Sequence, residues 1–120
     1  MKLIIEDQFE LEDFSVFLKV FKFHKNHLLL LSDHKDMGIG EVTLSSPSQI
    51  EGLKSTSSTY KLFGMHNNLL SSIIAKRAAA LLKTPVLTLV FFKQSIEEQE
   101  SIKSIVSFLN DSLKNINENE

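Results

Sequence analysis

A chain of 120 residues has the length of one domain, and folding at that size buries roughly two-thirds of the surface the unfolded chain exposes. The formal charge of −2 weighs against a surface built to track phosphates, and the absence of cysteine excludes disulfides, thiol chemistry and thiolate zinc sites. Apolar residues make up 42%, and with nine Phe and no Trp the aromatic mass is almost all plain hydrophobe without a polar handle.

The opening, Met1-Lys2-Leu3-Ile4-Ile5-Glu6, reaches an acidic residue too soon to be a signal-peptide core. The longest apolar run, Pro85 to Phe92, falls far short of the ~20 residues that span a bilayer. The expectation is a soluble intracellular protein. Leu3-Ile4-Ile5 predicts a short first strand. From Phe14 to Phe23 the pattern has period two, with Phe14, Val16, Leu18 and Val20 on one face and Phe17, Phe21 and Phe23 on the other. Both faces of that strand are therefore apolar. The polar His24-Lys25-Asn26-His27 and the run Leu28 to Leu31 complete an antiparallel hairpin. Met37 to Leu44 predicts a further strand, with Gly38 and Gly40 marking a bulge or a close backbone approach.

Ser45 to Ser58 carries loop chemistry throughout, and connections above ~12 residues in a compact domain are usually functional or disordered. Tyr60 to Phe63 predicts a short strand ending at Gly64. Asn67 or Asn68 caps a helix that runs to about Lys83, with Leu70, Ile73, Ile74, Arg77, Ala78, Leu81 and Leu82 at helical spacing and Lys83 at the negative end of the dipole. Thr84-Pro85 stops it. Val86 to Phe92 is apolar on both faces and predicts a central strand, so that a charge at Leu89 is expected to unfold the chain. Ser95 and Glu98 form a capping box for a final helix whose apolar stripe is Ile102, Ile105, Val106, Leu109 and Leu113.

These elements predict an α+β domain covering residues 1–120, with about six strands and two helices. No catalytic site, metal centre or cofactor site is expected. His24-x-x-His27 offers two nitrogens in a turn where zinc needs three or four ligands, so the pair reads as solvated histidines. Gly38-Ile39-Gly40 lacks the third glycine and the following helix of a dinucleotide fingerprint. The serine-rich loop has no Gly-x-Ser-x-Gly elbow. Lys76, Arg77 and Lys83 are too few to hold a nucleic acid.

What the sequence does imply is a need for cover. Phe14–Phe23, Leu28–Leu31 and Val86–Phe92 are apolar on two sides, and a sheet of such strands requires a layer on each. Helices on opposite faces would make the monomer self-sufficient. Helices on one face would leave an apolar patch larger than a monomer tolerates, and pairing sheet to sheet would hide it. The order of elements leaves both arrangements open.

From Tyr60 onward, Lys61-Leu62-Phe63-Gly64, the helix segment Ala75-Lys76-Arg77 and the entry Thr84-Pro85-Val86 into an apolar strand resemble the proteasome assembly chaperones, in particular their third and fourth members. Phe14-Ser15 and Phe23-His24 before a Leu-rich strand resemble the fourth. Asp36-Met37-Gly38 and Ser45-Ser46-Pro47 resemble the third, and the balance leans slightly to the fourth. The resemblance runs from about Phe14 to Leu113. It implies a compact antiparallel sheet with two helices, a heterodimer with a related subunit, and binding to proteasome α-subunits during α-ring assembly, in the cytoplasm and nucleus. A scaffold or regulatory module of roadblock or longin type, in a trafficking or signalling complex, is the alternative function. The residues expected to meet a partner are Ile50, Glu51, Leu53 and Lys54 in the long loop, then Lys76 and Arg77 on the first helix, with neither nucleic acid nor membrane among the partners.

Overall fold

The computed structural model describes residues 1–11, 13–47, 56–61, 68–93, 96 and 99–114. In chain order the elements are β1 (Lys2–Glu10), β2 (Ser15–Lys22), β3 (His27–Ser32), β4 (Glu41–Ser46), β5 (Thr56–Lys61), α1 (Asn68–Leu82), β6 (Val86–Phe91) and α2 (Gln99–Lys114). The six strands form one sheet in the order β1-β2-β3-β6-β4-β5. The α+β class with about six strands and two helices is as expected.

One feature of the expected sheet is corrected. Its pairings are antiparallel except β3 with β6, which run parallel with His27 beside Val86 and Ser32 beside Phe91. The sheet is therefore mixed. The physical reason is the order of assembly: β6 enters after α1 and inserts between β3 and β4, and a parallel neighbour is reached only through a long crossover.

Strand boundaries follow local chemistry. β1 is nine residues long, not the three expected, because ladder pairing with β2 carries it from Lys2↔Lys22 to Glu10↔Ser15 despite its acidic residues. The serine-rich stretch is shorter than expected, since Ser45 and Ser46 belong to β4 and Thr56 to Ser58 to β5. Residues 37–40 precede β4 rather than forming its start. Helix α1 ends as its sequence directs. Lys83 lies just past it in the left-handed region (φ 58°), and its N–H reaches Ala79 O at 2.8 Å, closing the last turn before Pro85. The proposed capping residues Asn67, Ser95 and Glu98 lie outside the described residues.

Both helices pack on one face of the sheet. Val16, Leu18 and Val20 of β2, Leu29 and Leu31 of β3, and Val86 and Val90 of β6 form a single buried cluster with Leu70, Ile74, Ala78 and Leu82 of α1 and Ile102, Ile105, Leu109 and Leu113 of α2. Ala75, Ala78 and Ala79 are fully buried, and their small side chains let α1 lie close to its neighbours. Phe108, which the expected stripe left out, is buried in α2 as well.

Candidate partner-binding surface

Strand alternation assigns the paired residues of β1, β2, β3, β6 and β4 to the helix side or to the opposite, open side. Cross-strand register arranges the open side in rows. One row runs Leu3, Phe21, Leu28, Leu87, Leu44 from β1 to β4, with Ser58 of β5 next in register. The row beside it runs Glu6, Lys19, Leu30, Leu89, Val42, followed by Tyr60 in register. A third holds Gln8, Phe17, Ser32 and Phe91. Leu28, Leu30, Leu87, Leu89, Phe17 and Phe21 are all half-buried, and neither α1 nor α2 packs over them.

Strand β4 carries the clearest signal, because its polarity is inverted. Glu41, Thr43 and Ser45 face α1 and are buried, while Val42 and Leu44 face outward. Ser45 is 0% exposed and its neighbour Leu44 is 51% exposed. A strand serving only its own core would place the leucine inward and the serine outward. Glu41 is held on the helix side, its Oε1 accepting a 3.0 Å hydrogen bond from Ser71 Oγ. The hydroxyls of Ser45 and Thr88 are also buried there, with no hydrogen-bond partner among the described residues. The polar cost on the covered side and the apolar surface on the bare side both point to an outward-facing role for Val42 and Leu44.

The crossing segment 33–40 bounds this surface at one end. Because β3 and β4 flank β6, the chain between them must pass over the end of β6. Asp33 anchors the passage: its N–H donates to Phe91 O at 3.3 Å, and its carboxylate accepts from Lys93 N–H at 3.0 and 3.1 Å. The segment rises on the open side, since a Cβ on Gly38 would stand 2.7 Å from the Phe91 ring. It also covers Ser32, which is 1% exposed although register places it on the open face. Met37 adopts φ 63° there, its N–H held by His34 O at 3.0 Å. Between this wall and the β1–β2 hairpin lies a groove of about 400 Å³ lined by Phe17, Met37, Glu6, Lys19 and Asp36, among others. Glu6 and Lys19 stand 4.0 Å apart on its floor.

Of the residues expected to meet a partner, Ile50, Glu51, Leu53 and Lys54 lie outside the described residues. Lys76 and Arg77 are exposed on α1, on the side of the molecule away from the open sheet face, and Arg77 Nε donates to Asn110 Oδ1 at 2.9 Å. The two histidines separate: His24 is exposed, whereas His27 is buried with Nδ1 2.7 Å from Thr84 Oγ1, so the reading of both as solvated is corrected for His27. Its place beside Val86 at the end of β3, under the chain turning from α1, removes it from water. Among the described residues no three His, Asp or Glu side chains gather to hold a metal ion, and no helix is long and apolar enough to cross a membrane.

The chain matches no protein-family model and no curated protein. The functional reading therefore rests on the surface itself and on the residues that carry the resemblance described above.

Proposed function

We propose that this protein is an assembly chaperone of the proteasome core particle, acting as a heterodimer with a related subunit and holding α-subunits while the α-ring forms. The observation that carries the reading is the apolar sheet face that neither α1 nor α2 covers among the described residues, with β4 turned so that Val42 and Leu44 point outward. Such a face is a place for another sheet, and a protein working as half of a sandwich has this polarity. The resemblance carried by Lys61-Leu62-Phe63-Gly64, Ala75-Lys76-Arg77 and Thr84-Pro85-Val86 supplies the identity of the partners.

Pairing through the open face leaves the helix layer free. Exposed Lys76 and Arg77 then meet an α-subunit together with the segment containing Ile50, Glu51, Leu53 and Lys54. The activity is positioning by contact, with no bond made or broken and no cofactor. It belongs in the cytoplasm and nucleus, where the core particle is assembled.

Affinity capture of the tagged chain from its native cell, with the retained proteins identified by mass spectrometry, tests this reading. Recovery of proteasome α-subunits and a second small sheet protein is expected. Recovery of membrane-traffic or GTPase-regulating components in their place would overturn it.

A further inference from the structure

Strand β1 lies at the edge of the sheet. It pairs with β2 along one side, and among the described residues no strand pairs with its other side. That side therefore presents a row of backbone N–H and C=O groups without a ladder partner. We propose that this edge takes an extended segment of a partner protein as a further strand, with a Lys or Arg side chain of that segment set against Asp111. The site is separate from the open face and from Lys76 and Arg77 on α1, and it does not require the chaperone role.

One stretch of β1 suits an added neighbour. Ile4 is the extra residue of a bulge, since Leu3 stands opposite Phe21 and Ile5 opposite Val20. From Ile5 to Glu10 the register is unbroken, a span of about 20 Å at the rise of an extended strand. Edge strands are commonly blunted by proline or lysine. β1 has no proline, and its one lysine, Lys2, stands at its start on the far side of the bulge.

A cleft of about 450 Å³ runs beside this edge, lined by Ile4 to Asp7 of β1 and by Phe108, Asp111 and Ser112 of α2. Successive strand residues point to opposite faces, so a space that touches four in a row lies against the edge of the strand and not over one face. An added strand would run there, with α2 as a wall on the helix side. Ile5 and Phe108 offer that strand apolar contact, and its backbone would complete the ladder.

Charge selects the occupant. Glu6 belongs to the open side, within 4.0 Å of Lys19, and is largely offset there. Asp7 accepts from Ser112 Oγ at 2.8 Å and from Gln8 N–H at 2.9 Å, both neutral donors, so its charge is uncompensated. Asp111 is exposed and has no hydrogen bond or ion pair among the described residues. No basic residue lines the cleft. A strand bearing Lys or Arg on its helix side meets both carboxylates. A second copy of β1 does not fit, because its own Glu6, Asp7 and Glu10 would be brought against the same charges. The end of this chain has the wrong charge too, since Glu118 and Glu120 follow Lys114 and no Lys or Arg does.

Fluorescence anisotropy tests this, with the purified full chain and a labelled peptide of alternating valine and lysine as long as β1. Saturable binding is expected, with slowed hydrogen exchange of the β1 amides in the complex. A valine–glutamate peptide should not bind. Nor should the valine–lysine peptide with its backbone nitrogens methylated, which keeps the charge but cannot donate to a ladder. Asp111→Lys should weaken binding about fivefold, as loss of an exposed ion pair does. Glu100→Lys makes the same change of charge on the exposed first turn of α2, outside the cleft, and should leave binding unchanged. Circular dichroism verifies that both variants fold. A wild-type chain that does not bind the peptide overturns the proposal. Equal binding of the methylated peptide, or equal loss in the two variants, also overturns it, because either means a general attraction of charge. No proteasome component is present, so failure here leaves the capture of α-subunits from cells separately readable.

Discussion

The ring of Phe9 stacks on the ring of Phe108, with centroids 5.2 Å apart and 18° between the planes. That contact joins the first strand to the last helix. It is reinforced by Ser112 Oγ, which donates to Asp7 Oδ2 at 2.8 Å. Asp7 and Phe9 are neighbours on the helix side of β1, whereas Glu6, Gln8 and Glu10 belong to the open side. The edge strand is thus tied down by two contacts of very long sequence separation.

Phe9→Ala should lower stability by roughly 2 kcal/mol, less than the ~3–5 of a fully buried Phe because this ring is half-buried. Ser112→Ala, which removes one hydrogen bond to a carboxylate, should cost about 1 kcal/mol. Urea unfolding midpoints read both effects. A Phe9→Ala midpoint equal to wild type would show that β1 is held by its ladder with β2 alone.

The sequence makes some of this legible and hides the rest for definable reasons. β2, β3, β6 and both helices follow from period and punctuation, and each lies within a few residues of its expected place. β1 hides because Asp7 interrupts the apolar alternation of Ile5 and Phe9, and only the distant Ser112 explains a carboxylate there. β4 is found from Glu41 onward, but which of its faces meets the helices is not legible. Apolarity alone sends Val42 and Leu44 inward, and nothing local reveals that Glu41 has a buried partner in Ser71. The position of the helices is invisible for the same reason that it matters, since strands apolar on both sides pack equally well either way. The alternation of Glu41, Thr43 and Ser45 with Val42 and Leu44 is in the sequence, but which set faces the helices is decided by the structure.

Gly38→Ala should destabilise by roughly 1–3 kcal/mol, the cost of forcing an extra methyl into occupied space. Its new Cβ would lie 2.7 and 2.8 Å from two atoms of the Phe91 ring, near the ring's attachment and so unable to swing away cheaply. Gly38→Ala combined with Phe91→Leu should recover part of the loss, because the smaller side chain clears the space. A thermodynamic cycle on the four proteins measures the coupling. Additive effects would mean that the crossing segment does not rest on Phe91.

Thr88→Val should stabilise the protein, by up to about 1 kcal/mol. Thr88 is 0% exposed in β6, and its hydroxyl has no hydrogen-bond partner among the described residues. Valine has nearly the same shape, so the change removes an unsatisfied polar atom without opening a cavity. Thermal denaturation reads the difference. A lowered melting temperature would show that the hydroxyl is bonded in solution.

Two adjacent residues test the central architectural point. Val90 is 2% exposed and belongs to the helix-covered cluster, whereas Leu89 lies on the open face between Leu30 and Val42. The sequence of the strand, apolar on both sides, predicts that an aspartate at Leu89 unfolds the chain. Its half-buried place on the open face changes that expectation. Leu89→Asp should leave a cooperative melting transition and abolish pairing with any second sheet, since a carboxylate in a dry interface has no partner there. Val90→Asp should leave no cooperative transition, because an unpaired buried carboxylate costs several kcal/mol against a total stability of about 5–15. Calorimetry and sedimentation of the two variants in parallel decide it. If Leu89→Asp unfolds as completely as Val90→Asp, the two faces of β6 are equally part of the folded core and the open face is not an interface. If Leu89→Asp folds and still pairs, the interface lies elsewhere, with Lys76 and Arg77 on α1 the next residues to substitute.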